Sequence, residues 1–437
     1  MMRLSLFFLV ILFICNHGTA DAEEWTVDRA VAAAVAASRT AGIERLDAHA
    51  IDLDTRSAST GWLPNLTMSA GANVVSDVME IPLPFKSIRF GDYDSYDFAV
   101  GFRQLLYDGG RIAESKKTLD ARSRATGFRA DIIDLETAFR TRTAFWTLAM
   151  TQRRVAAESE SIRRAEIHLR DAEIRLKEGT ALQQEVLSAR FRVSQTRMDL
   201  TTAEAECDRN AAVFRMITDS PSEMDISLVW DRDTIPPIPE PDIAGALSVR
   251  PETKALNASI EASRYMEKQA LSVRRPTLGL FGAFHYGRPG LDMPANDWMH
   301  YFIGGVSLSW NVWDWGDASR NAEKAHITGR QSELRLDDFQ RSLARELDSA
   351  RATYREVSQR AALAVEAREV AKARLDLVEA AYREGAATET DYDSAHADYA
   401  KAVIDESVAA VSVRIVVAQI DYILGCSLPG NNGGINE

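Results

Sequence analysis

No proline occurs between Pro84 and Pro221, nor between Pro294 and Pro429. Each gap runs about 135 residues. Proline costs about 3 kcal/mol inside a helix, so two such gaps leave room for helices far longer than the three turns usual in globular proteins. The other prolines gather in the stretches 64–84, 221–251 and 276–294. In the middle group, Ile235-Pro-Pro-Ile-Pro-Glu-Pro241 reads as an extended linker over 235–242 that separates two halves.

Apolar residues inside the gaps recur at alternating steps of three and four. In the second half the stripe is Leu343, Leu347, Ala350, Tyr354, Val357, Ala361, Ala364, then Ala371, Leu375, Val378 and Tyr382. In the first half it is Ile132, Leu135, Phe139, Trp146, Ala149 and Ala156. This is a heptad seam, which predicts left-handed coiled-coil packing. The pattern predicts long helices over about 111–178 and 317–384, each roughly 100 Å at 1.5 Å per residue. Gly179 and Gly385 close them, since glycine readily takes the left-handed conformation of a helix terminus. Returning helices follow over about 182–218 and 388–425, with seams Val186-Ala189-Val193-Thr196-Leu200-Ala203-Cys207 and Tyr392-Ala395-Tyr399-Ala402-Ala409-Val413-Val416-Ile420.

The two halves repeat. Leu106-Tyr107-Asp108-Gly109-Gly110 is similar to Val312-Trp313-Asp314-Trp315-Gly316, Leu176-Lys177-Glu178-Gly179 to Tyr382-Arg383-Glu384-Gly385, and Ser188-Ala189 to Ser394-Ala395, all at an offset of 206. A shared offset over such a span points to internal duplication. Pro64 and Pro276 stand 212 apart instead, so length varies upstream of the helices. The halves are read as 23–234 and 243–426, with a tail over 427–437.

Before each long helix the period changes to two. Leu66, Met68, Ala70, Ala72 and Val74 face one way, as do Tyr96, Phe98, Val100 and Phe102. In the second half Leu278, Leu280, Phe284 and Tyr286 share a face, as do Phe302, Val306, Leu308, Trp310 and Val312. These patterns predict strand pairs over about 63–107 and 276–313, apolar on one side only. Each strand is long enough to cross a membrane at a tilt, which takes roughly 9–11 residues. Four strands cannot close a membrane barrel, whose smallest forms have about eight, so several chains must contribute.

The remaining features bound the function. Hydrophobic residues make up 46% and charged residues 26%, a globular composition. The net charge of −13 argues against nucleic acid as a partner. Arg3 followed by the apolar run Leu4–Cys15 and then Ala20-Asp21-Ala22 reads as an export signal over 1–22. A lipoprotein signal with Cys15 as the anchor is the alternative. No later window approaches 18 uninterrupted apolar residues. The three cysteines form no CxxC pair and the seven histidines no paired ligand spacing, so no metal or cofactor is expected. Cys207 reads as a small buried hydrophobe. No GxSxG, P-loop or dinucleotide fingerprint occurs, so no catalytic residue is assigned.

This arrangement resembles the TolC-like outer membrane efflux proteins. The resemblance covers nearly all of the chain beyond the signal. It rests on the duplication, on Tyr107-Asp108-Gly109-Gly110, and on the tips Gly179-Thr-Ala-Leu-Gln-Gln-Glu185 and Tyr382-Arg-Glu-Gly385-Ala-Ala-Thr-Glu-Thr-Asp391. It implies an α+β membrane protein. Three chains would build one 12-stranded β-barrel, four strands each, continuous with a long periplasmic α-helical barrel. It also implies a homotrimer in contact with outer membrane lipid, a periplasmic adaptor protein and an inner membrane transporter of RND or ABC type. The duct would serve efflux or type I secretion.

The resemblance places a periplasmic entrance at the helix tips. Asp391 lies at the family's aspartate position of the second tip, with Asp393 adjacent; Glu185 takes the acidic position of the first tip and Tyr382 that of the gating tyrosine. Ala387 stands where the family carries an arginine, so one closing salt bridge is missing. A ring of carboxylates around an axis attracts cations. Against this, hairpin tips also carry solvated charges, and Tyr382 lies on the packing seam. Gly109, Gly110 and Gly316 mark the junction of barrel and tunnel. Trp298, Tyr301, Trp310, Trp313 and Trp315 suit a membrane interface, or junction packing for the last two. The competing function is a non-conducting coiled-coil scaffold, periplasmic or secreted.

Overall fold

A computed structural model of the protein describes residues 23–90, 92–221, 226–230, 243–291 and 297–426. The expected signal, the linker 235–242 and the tail 427–437 lie outside these residues. In chain order the elements are β1 (Glu23–Trp25), α1 (Val27–Ala37), α2 (Arg39–Ser59), a 3₁₀ turn (Thr60–Trp62), β2 (Asn65–Val74), β3 (Met79–Pro82), β4 (Ser87–Phe90), β5 (Asp94–Tyr107), α3 (Arg111–Lys177), α4 (Gln183–Thr218), β6 (Ile226–Leu228), α5 (Ile243–Val249), α6 (Pro251–Ser272), β7 (Thr277–Arg288), β8 (Met299–Ser309), α7 (Asp317–Arg383) and α8 (Glu389–Leu424).

The long helices α3 and α7 are both 67 residues, and the returning helices α4 and α8 are both 36. The backbone carries the 206-residue spacing further. Among the described residues, those with left-handed φ fall into four pairs at that spacing: Gly109 (71°) with Trp315 (54°), Gly110 (91°) with Gly316 (81°), Gly179 (78°) with Gly385 (76°), and Asp219 (52°) with Gly425 (76°).

Two compact units divide the chain. One comprises Arg39–Asp134 and Asp242–Arg345 and holds a four-stranded sheet of order β2-β5-β7-β8, antiparallel throughout. Its register explains why four separately alternating segments work as one surface. Met68 pairs with Val100, and Val100 with Phe284; Phe284 in turn pairs with Phe302. A register shift between Leu105 and Tyr107 ends the regular ladder just before α3. The sequence reading did not contain the small β3–β4 hairpin (Met79–Pro82 with Ser87–Phe90).

Strand passes to long helix through one repeated device. The Asp108 carboxylate accepts the N–H groups of Gly110 (2.9 Å) and Ile112 (2.7 Å), and Asp314 accepts those of Gly316 (2.9 Å) and Ala318 (2.9 Å). Each satisfies N–H groups that a helix start leaves unpaired. Those hydrogen bonds hold the Asp314 carboxyl below its ordinary range. Gly109 is confined as well as left-handed. A Cβ there would stand 2.7 Å from Arg275 Cβ and 2.8 Å from the Ser272 carbonyl oxygen, and Arg275 donates to the Gly109 carbonyl at 2.9 Å. At Gly110 the nearest atom is Arg275 Nη1 at 3.8 Å. Gly109→Ala should therefore lower stability by about 2–4 kcal/mol, from strain and clash together. Gly110→Ala should cost about 1–2 kcal/mol from strain alone. Denaturant unfolding of the two variants in detergent checks the order.

The other unit comprises Met1–Ser38, Leu135–Pro241 and Glu346–Glu437. Its core gathers Trp25, Ala30, Phe145, Leu148 and Phe214, with Trp146 and Trp230 against it. β1 and β6 pair in parallel beside it, Trp25 opposite Leu228. The seam expected on α3 holds in part: Leu135 and Ala149 are buried, but Ala156 is exposed and the large side chains are exchanged. Ala138, Phe145 and Leu148 are fully buried, whereas Phe139 and Trp146 are half-buried. The reason is that α3 meets two neighbours: Phe139 stacks on Tyr422 of α8 at 5.1 Å, and Phe145 leans on Phe214 of α4 at 6.3 Å. Among the described residues, helix α8 alone is long and apolar enough, by composition, to cross a membrane. Its Val411, Val413, Ile420 and Ile423 are instead buried within the unit.

Candidate functional site

The residues singled out in the sequence gather in two places, the four-stranded sheet and the tips where α3 and α7 turn into α4 and α8. On the sheet, register places the apolar rows of all four strands on one face, and that face is open. Met68 is 84% exposed, Phe302 65% and Val306 62%. The opposite face carries Thr67, Ser69, Asp97, Gly101, Ala283, His285 and Ser307. His285 Nδ1 lies 3.0 Å from the Asp97 carboxylate, and the His285 ring stacks on Tyr301 at 4.9 Å. Aromatic side chains bracket the apolar face. Trp298 stacks on Tyr286 (5.0 Å) and Tyr96 (6.0 Å) at one end, and at the other Trp310 donates to the Arg274 carbonyl (2.9 Å) beside exposed Trp313 and Trp315. Exposure of so large an apolar surface in water is unfavourable; in lipid it is the ground state.

At the tips, Gly179 and Gly385 end α3 and α7 with matching geometry. The Thr180 N–H returns to the Arg175 carbonyl (2.9 Å) and the Ala386 N–H to the Ala381 carbonyl (2.8 Å). The next helices are capped by acids. Glu185 accepts the Leu182 N–H at 3.2 Å. Asp391 accepts the N–H (3.1 Å) and hydroxyl (2.6 Å) of Thr388, whose hydroxyl oxygen accepts the Asp391 N–H (3.2 Å). These bonds hold the Asp391 carboxyl below its ordinary range. Asp391 is thus both solvent-exposed and the closing member of a capping box.

Arg175 brings two of the expected entrance residues together. Its guanidinium donates to the Tyr382 hydroxyl, lies over the Tyr382 ring at 4.8 Å, and reaches the Glu185 carboxylate at 3.9 Å. Burial pushes the Tyr382 phenol up while Arg175 pulls it down. Tyr382 also stacks on Tyr392 (5.4 Å), and His168 on Tyr392 (4.8 Å). These side chains line a groove of about 290 Å³ with Asp171 and Glu379. Asp393 sits at the edge of the same cluster, where its charge acts on His168. Asp391 stands apart from it, beside Arg374. Sequence reasoning missed Arg175, His168 and Glu389; the first two lie together on α3, but Glu389 begins α8 more than 200 residues on, and no local spacing joins the two segments. Among the described residues no group of His, Cys, Asp or Glu is arranged to hold a metal.

A sheet greasy on one side, set in a chain of very long helices, is built to meet lipid rather than water. The sequence matches the outer membrane efflux protein family over residues 44–217 and again over 243–426, and the chain belongs to that family. The fold is shared with solved channels at low identity. The outer-membrane channel OprN is 18% identical, covering 91% of this chain and 89% of its own, with a TM-score of 0.74. The Campylobacter jejuni CmeC outer membrane channel is 14% identical over 93% of this chain and 86% of its own, TM-score 0.77. The open state of the Neisseria gonorrhoeae MtrE outer membrane channel is 14% identical over 92% and 89%, TM-score 0.75. No curated protein sequence matches the chain.

Proposed function

We propose that three copies of the chain close a 12-stranded barrel in the outer membrane and a helical tunnel beneath it, forming the passive exit duct of a tripartite efflux or type I secretion system. A periplasmic adaptor and an inner membrane transporter of RND or ABC class would deliver the cargo, a small molecule or a protein. The paired lengths of α3 with α7 and α4 with α8, and the paired left-handed positions, support an origin by duplication.

One observation carries this reading. The four antiparallel strands end in β2 and β8, which have no further neighbour among the described residues, and expose an apolar face of membrane-spanning length. With an even number of alternating strands, β8 of one copy runs antiparallel to β2 of the next, so a uniform ladder can close. A soluble scaffold gains nothing from such a face. The test is planar-bilayer conductance of the detergent-purified protein together with its assembled mass. Conducting trimers are expected; a water-soluble monomer without conductance overturns the reading.

The tips are read as the entrance, with Glu185, Tyr382, Asp391 and Asp393 around it and Gly179 and Gly385 as their turns; Gly109, Gly110 and Gly316 turn the chain between barrel and tunnel. Asp391 offers a clean probe, because asparagine keeps an acceptor for the Thr388 N–H but loses the charge. Asp391→Asn should weaken block by multivalent cations severalfold while leaving open conductance near normal. A trimer whose cation block is unchanged places Asp391 outside the constriction.

A further inference from the structure

His168 and Glu389 hold two polar atoms that the tip leaves without partners. The His168 side chain, on α3, is 7% exposed. Its Nε2 stands 3.8 Å from Oε1 of Glu389, the first residue of α8. Neither atom has a hydrogen-bond partner or meaningful contact with solvent. At that separation there is no hydrogen bond, and an unsatisfied buried polar group is costly.

The chemistry of the two groups suggests why they face each other. With its N–H on Nδ1, a neutral imidazole presents a lone pair at Nε2, and an ionised carboxylate has only lone pairs to offer. One proton added to the pair, on either atom, supplies the missing donor. We propose that His168 and Glu389 share a single proton as an acid-operated latch, which draws α3 onto the first turn of α8 when the proton is bound and releases it when the proton leaves. For its effect on conduction the latch rests on the reading of the tips as the entrance; proton sharing itself does not depend on that reading.

The surroundings tune the pair from every side. Burial pushes the His168 imidazole below its ordinary range; Arg175 acts the same way, while Asp393, Asp171 and Glu185 oppose it. Burial pushes Glu389 above its ordinary range, helped by Asp393 and Glu185 and opposed by Arg175. Tyr382 from α7 and Tyr392 from α8 pack on the imidazole. The imidazole is thus held down and the carboxyl held up, so the two sites are drawn toward sharing one proton; the latch is closed while that proton is bound and lost as pH rises and the proton leaves. His396, also on α8, is held down to about 4, chiefly by burial, and so stays neutral between pH 5 and pH 7.5.

The test uses the assembled channel and two readouts. In bilayers, the wild type should lose conductance severalfold between pH 7.5 and pH 5. His168→Phe keeps the stacked ring without donor or acceptor and should stay conductive at both values. Glu389→Gln supplies a permanent N–H to Nε2 and should stay low at both. In detergent, the ¹⁵N signal of His168 Nε2 should report a protonation whose midpoint moves when Glu389 becomes Gln. A His168 titration indifferent to Glu389→Gln overturns the latch, as does a pH response that survives in both variants. A coupled titration in a protein that conducts at no pH supports proton sharing and removes the entrance reading instead.

Discussion

Lysine in place of Val306 should keep the protein from inserting in the outer membrane, whereas lysine in place of Ser307 should not. The two residues are neighbours on β8 at nearly the same depth, and they point to opposite faces. Val306 pairs with Leu280 on the apolar face, while Ser307 pairs with Gly279 and donates to its carbonyl at 3.4 Å on the other. A lysine near the middle of a lipid-facing strand costs about 2–4 kcal/mol. In the proposed ring of three the cost recurs in each copy, about 6–12 kcal/mol in all, comparable with the whole stability of a domain. Membrane fractionation and heat-resistant trimer bands read the result. Equal outcomes for Val306→Lys and Ser307→Lys would mean that the apolar face does not meet lipid.

Phe145→Ala should cost about 3–5 kcal/mol, the range for emptying a buried aromatic site. Phe145 is fully buried where α1, α3 and α4 converge. Its ring meets Trp146 edge-on at 5.0 Å and Phe214 at 6.3 Å, and Phe214 meets Trp25 of β1 at 5.5 Å. The cavity would open beneath the β1–β6 pair, so this segment should become the first site of protease cleavage. Phe139→Ala, at a half-buried ring stacked on Tyr422, should cost less. Guanidinium unfolding followed by tryptophan fluorescence compares the two; similar losses would show that the cluster around Phe145 does not anchor this segment.

Much of this architecture is legible in the chain because its signals are local and periodic. Long proline-free spans with apolar steps of three and four read as α3 and α7 because nothing interrupts their hydrogen-bond ladder. Alternation in four segments reads as strands, and the register shows those rows meeting on one face. What escaped the sequence is what depends on distant partners. β1 and β6 have three residues each and carry no pattern. The stripe through Phe145 was missed because a single seam presumes one neighbour, and α3 has two. At the tip, Arg175 and Tyr382 lie 207 positions apart, so only folding reveals that they touch. Asp391 shows a different limit: Thr388-x-x-Asp391 has the spacing of a capping box, and that local signal was overshadowed by its charge.

The unpaired margins of β2 and β8 mean that a single copy is an unfinished object. It has a right and a left seam, and among the described residues neither is paired by the chain that owns it. In the proposed three-membered ring, a variant with one spoiled margin therefore harms its normal siblings too, because every ring it joins contains a break. Produced in equal amounts, normal and damaged copies would leave only about one three-membered ring in eight intact, so a lesion at this margin should behave as dominant in a cell carrying both forms.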